Sequence, residues 1–214
     1  MADVARSNAL FGGAHAVIAE LDDVFRSALA AGPPHQLTLL DVGTGLGDIP
    51  ARVREHGERR GVTVHTVGLE TSTVLAVAAR ADAFPVVRGD ALRLPVANRS
   101  FDVVMCSQVL HHFRGADGVS LVRELDRVAR LRVIVSDIRR TWLAVAGIWL
   151  ASWPLRFHPV SRHDGVISVL RGFTRAELGS AVRAAVGVTP RVRRHRGFRV
   201  TAAWTPGFGL SDGG

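Results

Sequence analysis

The stretch LLDVGTGLGD, Leu39–Asp48, decides the fold of this chain. An apolar segment leads into a carboxylate, Asp41, and the chain then turns through Gly43, Gly45 and Gly47. Glycine tolerates the positive φ angles of a tight strand-to-helix turn, and it has no Cβ to fill the space in which backbone approaches a ligand. A purely structural turn has the same residues, so the motif alone is a weak signal. The sequence predicts a ligand-binding strand end that the rest of the chain must support.

Apolar segments alternate with amphipathic ones on both sides of this turn. We predict strands over Leu37–Val42, Val62–Leu69, Val86–Arg88, Phe101–Ser107 and Leu131–Asp137, with helices over Ala14–Ala31, Asp48–Gly57, Ser72–Asp82 and Gly118–Ala129. Continuous apolar strands separated by helices are typical of a parallel sheet covered on both faces. A helix over Thr174–Val186 and a strand pair over Val188–Arg194 and Phe198–Trp204 follow. The sequence therefore predicts a doubly wound α/β fold in a single domain over residues 1–214, with an N-terminal helical region over residues 1–35.

The composition limits the classes of protein to which the chain can belong. With 214 residues, of which 47% are hydrophobic, the chain can bury one sizeable core. A single cysteine, Cys106, excludes an intramolecular disulfide, and CxxC and HExxH spacings are absent, so no metal site is predicted. Acidic residues interrupt the N-terminal segment where a signal peptide needs an apolar run. We therefore expect a cytoplasmic protein.

The net charge of +8 is less informative than it looks. All 27 lysine or arginine residues are arginines, and alanine, glycine and valine are abundant, which is a bias that G+C-rich coding produces. The densest basic cluster, Arg191–Arg199 (RVRRHRGFR), suits phosphate contacts, but its arginines alternate with apolar residues and lead into an apolar strand. We interpret it as a solvated strand face and predict no nucleic-acid partner.

Three carboxylates follow successive predicted strands, namely Asp41, Glu70 and Asp90. The carboxyl ends of parallel strands share one edge of the sheet, so the three acids are expected to line one crevice beside the glycine turn. Glu70 can accept hydrogen bonds from both ribose hydroxyls, and Asp90 can accept one from an exocyclic adenine amine. The alternative is that Asp41 and Asp90 only cap turns.

The competing nucleotide is NAD, whose fingerprint is G-x-G-x-x-G. Here the spacing is G-T-G-L-G followed by Asp48. A pyrophosphate would meet a negative charge at the helix start, whereas a cationic sulfonium would not be disfavoured by the acids. The residues favour a sulfonium cofactor over a dinucleotide.

Four motifs in this order resemble the class I S-adenosylmethionine-dependent methyltransferases, in particular the small-molecule branch that includes ubiquinone and menaquinone biosynthesis enzymes. The motifs are LLDVGTGLGD (39–48), VGLETS (67–72), GDALRLP (89–95) and FDVVMCSQVLHHF (101–113), and they lie in roughly the first two thirds of the chain. The resemblance implies a seven-stranded sheet of order 3-2-1-4-5-7-6 with the last strand antiparallel, and S-adenosylmethionine as cofactor. The family often has Asp where this chain has Glu70, and the longer carboxylate serves equally well for two hydroxyls.

The resemblance also implies a role for each matching residue. The loop around the methionine part of the cofactor would contain Asp41, Gly43, Thr44, Gly45 and Gly47. Glu70 would hold the ribose and Thr71 the adenine wall, while the adenine edge would meet Asp90 and Ala91. Ser107 and Gln108 would lie beside the sulfonium.

The acceptor side is harder to predict. Methyl transfer is an in-line displacement at a carbon that positive sulfur already activates, so a base is needed only for a weakly acidic hydroxyl or carbon. His111 and His112 directly follow the fourth predicted strand, where a histidine can act as a base or simply pack. His163 with Asp164 forms either an oriented base or an Asp-Gly turn. We predict proton removal by His112 or His163, with His111 as a third candidate.

Residues 139–173 are predicted to form a lid over the acceptor. Arg139 and Arg140 at the end of the fifth strand suit a phenolate or carboxylate, and we place Trp142, His158 and Asp164 beside them as acceptor-binding residues. The aromatic residues of this region either stack on a flat acceptor or pack the lid and a dimer contact: Trp142, Trp149, Trp153, Phe157 and Phe173. The apolar stretch Trp142–Trp153 is too short to cross a bilayer and is a buried helix, a lid or an interfacial segment.

The sequence thus predicts a methyltransferase for an apolar, aromatic or polyketide-like small molecule, acting by O- or C-methylation in natural-product or quinone-type biosynthesis. The alternatives are a nucleic-acid or protein methyltransferase, for which the Asn-Pro-Pro type of motif is missing after the fourth strand, and a cofactor-binding protein without turnover. We expect a monomer or homodimer without stable membrane insertion. Peripheral association through residues 142–153 is an open alternative.

Overall fold

The computed structural model describes residues 13–81, 84–152 and 167–207. They form a seven-stranded sheet of order β3-β2-β1-β4-β5-β7-β6, as expected. The strands are β1 (Gln36–Val42), β2 (Thr63–Glu70), β3 (Val86–Arg88), β4 (Phe101–Ser107), β5 (Ala129–Ile138), β6 (Arg191–His195) and β7 (Arg199–Trp204). The helices are α1 (Gly13–Ala30), α2 (Asp48–Arg59), α3 (Thr73–Ala81), α4 (Ala116–Val128), α5 (Trp142–Ser152) and α6 (Arg175–Val186), and a short 3₁₀ turn covers Leu110–His112.

The central strands are apolar throughout because both faces of the sheet are covered. Leu40 and Val104 pack on one face into a cluster with residues of α4 and α6, while Leu39 and Val103 pack on the other face with residues of α1 and α2. Consecutive side chains of a strand point to opposite faces, so neither position tolerates a polar residue. This confirms the doubly wound α/β prediction.

Parallel pairing brings the carboxyl ends of five strands to one edge. β1 pairs with β2 and β4, β2 with β3, and β4 with β5, all in parallel. β7 lies antiparallel between β5 and β6, which confirms the antiparallel last strand. The glycine turn, Glu70, Ser107 and the end of β5 therefore lie along the same edge, where open α/β sheets bind ligands.

Several predicted element boundaries differ from the observed ones for local reasons. α3 begins at Thr73 rather than Ser72, because the Ser72 hydroxyl caps the helix by accepting a hydrogen bond from the Leu75 amide at 3.4 Å. β6 begins at Arg191 rather than Val188, directly after Pro190, a residue without an N–H for the ladder. α4 begins two residues earlier than predicted, following Gly115, whose φ is 55°.

The interpretation of Arg191–Arg199 as a solvated strand face is wrong at its C-terminal end. Arg191, Arg193, Arg194 and Arg196 are exposed, and Arg191 also forms an ion pair with Glu20, but Arg199 has only 3% of its surface exposed. The alternating pattern did not reveal that α1 covers one face of this strand pair and that β7 lies inside the sheet. Only the exposed arginines fit the prediction.

The start of the apolar stretch Trp142–Trp153 is not buried. Trp142 is 83% exposed and Leu143 is 72% exposed, whereas Ala144 is fully buried. A segment with a single polar residue, Ser152, shows no preferred face in its sequence, so only the packing decides which side chains meet solvent. Trp153 lies outside the described residues. Within the described ranges, no helix is long and apolar enough to cross a membrane.

Candidate functional site

The three glycines of the turn share positive φ angles but have different surroundings. Their φ angles are 74° at Gly43, 59° at Gly45 and 78° at Gly47. A Cβ at Gly43 would come within 2.5 Å of Val109, and one at Gly47 within 2.7 Å of Phe84, whereas one at Gly45 would meet nothing within 4 Å. Gly43 and Gly47 thus serve close packing inside the protein, while Gly45 faces open space where a ligand fits.

Asp41 is a buried carboxylate whose charge lacks full compensation. Its side chain is 2% exposed, and its Oδ1 atom has no hydrogen-bond partner. Burial, together with the nearby charges of Asp48 and Glu70, raises the pKa of Asp41 from 3.8 to about 7. Buried polar atoms are nearly always hydrogen-bonded, so an orphaned carboxylate oxygen indicates a missing partner. A cationic ligand meets this need, which a phosphate does not.

Glu70 connects the end of β2 to the glycine turn. It is 6% exposed, and its carboxylate accepts hydrogen bonds from the Gly45 amide at 3.0 Å and the Ser72 amide at 2.9 Å. Each oxygen retains a further lone pair for a ligand hydroxyl. Holding the ribose stays a prediction for Glu70, and its bracing of Gly45 is a role that the sequence did not reveal.

A cleft beside β2 and β3 continues the site. It has a volume of about 510 Å³ and is lined by Thr71, Arg88, Gly89 and Asp90. Asp90 is exposed, and its Oδ1 accepts a hydrogen bond from the Leu92 amide at 2.9 Å. Ala91 packs against the core from the same loop. Thr71 and Asp90, both predicted to contact adenine, therefore line one cleft.

Two charged residues of α4 hold the loop that contains Asp90. Glu124 accepts a hydrogen bond from the Leu94 amide at 2.7 Å, and Arg127 donates to the carbonyls of Leu94 at 3.1 Å and Val96 at 3.0 Å. The Arg127 guanidinium, hydrogen-bonded to Glu124, lowers the pKa of that carboxyl. The sequence analysis missed this clamp because an i, i+3 charge pair on a helix is typical of a solvated surface.

The carboxyl end of β4 contains a strained residue. Gln108 has a φ of 59°, and its amide donates to the Ser136 carbonyl at 2.8 Å. A residue other than glycine in this conformation costs on the order of 1 kcal/mol and is found preferentially at functional sites. The neighbouring Ser107 hydroxyl is buried without a hydrogen-bond partner. The two residues predicted beside the sulfonium thus combine a left-handed backbone at Gln108 with an unpaired hydroxyl at Ser107.

His111 is buried and held by a carboxylate that the sequence analysis did not select. Its Nδ1 lies 2.8 Å from Asp137 Oδ1, and its backbone amide donates to Asp137 Oδ2 at 3.0 Å. His111 is 2% exposed and Asp137 is fully buried. In a neutral His111 ring that faces an ionised carboxylate, Nδ1 donates its hydrogen to Asp137 and Nε2 keeps a lone pair. Nε2 is buried without a hydrogen-bond partner.

The sequence contains a pattern from which Asp137 could have been predicted as a site residue. Asp137 ends the apolar run LRVIVSD in the way that Asp41 ends the first strand. The separation of 26 residues between His111 and Asp137 hides the pair until the sheet is assembled. Its Oδ1 also accepts a hydrogen bond from the Ile138 amide at 2.7 Å, which fixes the carboxylate.

His112 lies beside His111 in a different environment. Their ring centroids are 4.1 Å apart, and the His112 side chain is exposed. Partial desolvation and then the neighbouring His111 lower the pKa of His112. The structure therefore brings the two adjacent candidate bases together and gives the orienting carboxylate to His111. His163, the other candidate base, lies outside the described residues, as do His158 and Asp164.

The remaining predicted acceptor residues surround the start of α5. The Arg139 guanidinium lies 5.9 Å from the centre of the Phe198 ring, and Arg140 forms an ion pair with Glu177. Trp142 points into solvent, while Phe173 packs against the core. The charge of Arg140 thus has a protein partner. Among the described residues, no group of three or more histidine, cysteine or acidic side chains is arranged to hold a metal ion.

Comparison with known proteins agrees with this geometry. Residues 40–135, a little under half of the chain, match the family described as "Methyltransferase domain". The matched stretch runs from β1 to β5 and includes every predicted cofactor residue. No curated protein matches the chain in sequence at a significant level.

Solved structures match over most of the chain at low identity. A SAM-dependent methyltransferase from Aquifex aeolicus is 16% identical, with 87% of this chain and 91% of that chain covered and a TM-score of 0.59. Magnesium protoporphyrin IX methyltransferase from Synechocystis PCC 6803, solved with bound SAH, is 16% identical over 89% of this chain and 83% of that chain, with a TM-score of 0.55. A protein that converts a disulfide bond into a thioacetal group in echinomycin biosynthesis is 19% identical over 86% and 81%, with a TM-score of 0.59.

Residues 40–135 match a methyltransferase family, and the strand order is that of the class I S-adenosylmethionine-dependent methyltransferase fold. S-adenosylmethionine is the cofactor of this class, and the orphaned Asp41 oxygen and the open side of Gly45 fit that cation. The matched stretch ends at residue 135, so α5, α6, β6 and β7 lie outside it.

Proposed function

We propose that this methyltransferase transfers the methyl group to a hydroxyl or acidic carbon of an apolar small molecule, with His111 as the base. The observation that supports this best is the buried His111–Asp137 pair at the carboxyl edge of the sheet, 2.8 Å apart, with Nε2 unpaired. A base of this kind is needed when the acceptor atom must lose a proton, and a fixed imidazole serves that role at neutral pH.

Each neighbouring residue has a defined task in this proposal. When bound, the cofactor supplies a methyl group activated by positive sulfur. Asp137 holds the His111 ring in the tautomer that leaves Nε2 free to accept the acceptor's proton. Arg199 lies buried near Asp137, whose charge partly offsets the burial that lowers the pKa of Arg199 to about 10. His112 and His163 remain alternative bases.

The class of acceptor is inferred from the apolar character of the segment after β5. We propose an aromatic or polyketide-like acceptor covered by residues 139–173, with Arg139 beside a phenolate or carboxylate oxygen. Two of the similar structures support a small-molecule acceptor, because one methylates magnesium protoporphyrin IX and the other acts in echinomycin biosynthesis. A place in quinone-type or natural-product biosynthesis follows from the same reasoning.

The test separates methyl transfer from cofactor binding. His111→Ala and Asp137→Asn are assayed with radiolabelled S-adenosylmethionine and a panel of hydroxynaphthoquinones and flavonoids, while calorimetry measures cofactor affinity. We expect transfer to fall by a factor of about 10²–10⁴ and the cofactor Kd to change less than about twofold. Asp126→Asn is the matched control, because Asp126 is also a buried carboxylate but accepts a hydrogen bond from Trp204 Nε1 at 2.7 Å rather than from a histidine.

The result also decides between the alternative functions. Unchanged transfer in both variants would exclude His111 as the base. Label in nucleic acid or protein rather than in the panel would support the macromolecular alternative. Cofactor binding without transfer to any acceptor by the wild-type chain would support a binding protein without turnover.

A further inference from the structure

One face of α5 exposes a continuous apolar surface. Trp142 is 83% exposed, Leu143 is 72% exposed and Ala146 is also exposed, while Ala144 on the other side is fully buried. Positions three and four apart lie together on a helix surface, so Trp142, Leu143 and Ala146 form one patch, which we call the α5 patch. A contiguous exposed apolar patch that includes an aromatic side chain is a candidate contact site.

Exposed arginines lie beside the α5 patch. Phe198 lies in the turn between β6 and β7, and its ring comes within 3.5 Å of a Cβ placed on Gly147 of α5. The Phe198 carbonyl accepts a hydrogen bond from the Arg139 amide at 2.7 Å. Arg196 is two residues from Phe198 and Arg194 is four, so the chain keeps Arg196 within about 7 Å of that contact. Both arginines are exposed. Residues 138–152 and 188–200 contain no acidic residue, so the surface is apolar and positive.

The patch lies on the acceptor side of the molecule. α5 begins four residues after Ile138, the end of β5, whose neighbour Asp137 holds His111. β6 also ends at this edge, because it pairs antiparallel with β7, which in turn is antiparallel to β5. A flat partner on the α5 patch would therefore face the edge at which the methyl group is delivered.

We infer that the α5 patch docks the protein reversibly on an anionic lipid bilayer. The Trp142 and Leu143 side chains would enter the interface between headgroups and acyl chains, and Arg194 and Arg196 would contact lipid phosphates. Tryptophan is enriched at this depth, and basic residues add attraction to anionic lipid. A second copy of the chain is a poorer partner, because a two-fold contact would bring the same arginines of both copies together and their charges would repel. A nucleic acid is also a poorer partner, because it offers no apolar surface to Leu143.

This inference rests on the proposed function for its biological use, because an apolar acceptor dissolves in the bilayer and is collected there. Docking itself needs neither cofactor nor acceptor. It can therefore be measured independently of methyl transfer, and either result can fail while the other holds.

The experiment is co-sedimentation of the full chain with phosphatidylcholine vesicles that contain 40% phosphatidylglycerol or none, a composition chosen to vary surface charge. We expect binding to the anionic vesicles to be at least tenfold stronger than to the neutral ones. Trp142→Ser with Leu143→Ser should weaken it at least tenfold, and Arg194→Gln with Arg196→Gln more than tenfold, since each arginine near an anionic surface adds about fivefold. Salt should weaken it as well.

The matched control is Val74→Ser with Val77→Ser on α3. These valines are 76% and 62% exposed, but α3 packs against β2 and β3 at the other end of the sheet. The control should bind like the wild type. Equal loss in the control, no vesicle binding by the wild type, or loss of a dimer in gel filtration on changing Trp142 and Leu143 would each overturn the inference. Nucleic-acid binding without vesicle binding would overturn it too.

Discussion

Asp41 and Glu20 are both buried carboxylates, and their surroundings are opposite. Asp41, at the ligand edge, is 2% exposed, lies near two other acids and has a pKa raised to about 7. Glu20 of α1 is fully buried against the β6–β7 pair. Burial raises the pKa of Glu20, but hydrogen bonds from His195, Thr201 and Arg191 outweigh it and lower the pKa to about 2.

The difference distinguishes a charge that stabilises the fold from a charge that lacks a partner within the protein. Glu20 accepts from Thr201 at 2.8 Å and from Arg191 at 2.8 Å, so its negative charge is compensated within the protein. Asp41 has an unpaired oxygen. A buried charge left without compensation costs several kcal/mol, which a protein retains only where binding supplies the partner. The comparison thus favours a ligand-binding role for the glycine-turn edge and a structural role for the α1–β6 contact.

The largest effect should come from filling the open side of the ligand edge. Gly45→Arg places a bulky cation where a Cβ meets nothing within 4 Å, so S-adenosylmethionine should lose at least about 100-fold in affinity, measured by calorimetry. Gly61→Arg is the control, because Gly61 also has a positive φ of 75° and open space but lies in the turn between α2 and β2. Equal loss of affinity in both variants would contradict the assignment of the edge.

Glu20→Gln should lower stability and spare the cofactor. The pKa shift from 4.5 to about 2 corresponds to about 3 kcal/mol at pH 7, which urea unfolding should detect as a loss in the variant. Because the folded-state pKa is lower than the unfolded one, this stability is present above pH 4.5 and is lost as the pH falls toward 2. We expect the cofactor affinity of the variant to change by less than about twofold. A variant as stable as the wild type would argue against a structural role.

Asp41 should show the opposite behaviour. Its folded pKa of about 7 exceeds the ordinary 3.8, so its ionisation reduces stability progressively between those pH values. A cationic cofactor favours the ionised form, so the affinity for S-adenosylmethionine should rise about tenfold from pH 6 to 8, with release of a proton that calorimetry in different buffers detects. Asp41→Asn should flatten this profile and raise the free energy of unfolding at pH 8 by about 4 kcal/mol. An unaltered pH profile in the variant would show that another group titrates.

The smallest expected effect concerns the clamp on the Asp90 loop. Glu124→Gln keeps the shape of the side chain but weakens its bonds to Arg127 and to the Leu94 amide at 2.7 Å, so the cofactor should bind about fivefold more weakly. Glu55→Gln is the control, since Glu55 and Arg59 form an exposed i, i+4 pair on α2. Equal cofactor affinities in the two variants would show that the Glu124–Arg127 clamp does not affect cofactor binding.

The sequence by itself determined the sheet, its ligand edge and the cofactor. Alternating strands and helices place Gly43–Gly47, Glu70 and Asp90 at one edge whatever the details of packing, because parallel strands end on the same side. Contacts between distant residues were decided only by the tertiary structure. His111 and Asp137 are 26 residues apart, and Arg191 and Glu20 are 171 apart, so no local pattern connects either pair.

The same limit explains the exposed start of α5. The stretch Trp142–Trp153 is apolar except for Ser152, so its sequence contains no periodicity that distinguishes the buried side of Ala144 from the solvent side of Trp142. Phe198 lies beside Gly147 of α5, and this proximity between residues 51 positions apart exists only in the assembled sheet, in which β7 lies between β5 and β6. Local chemistry therefore predicts where the cofactor binds, and long-range packing decided which histidine is buried at that edge and which surface remains open.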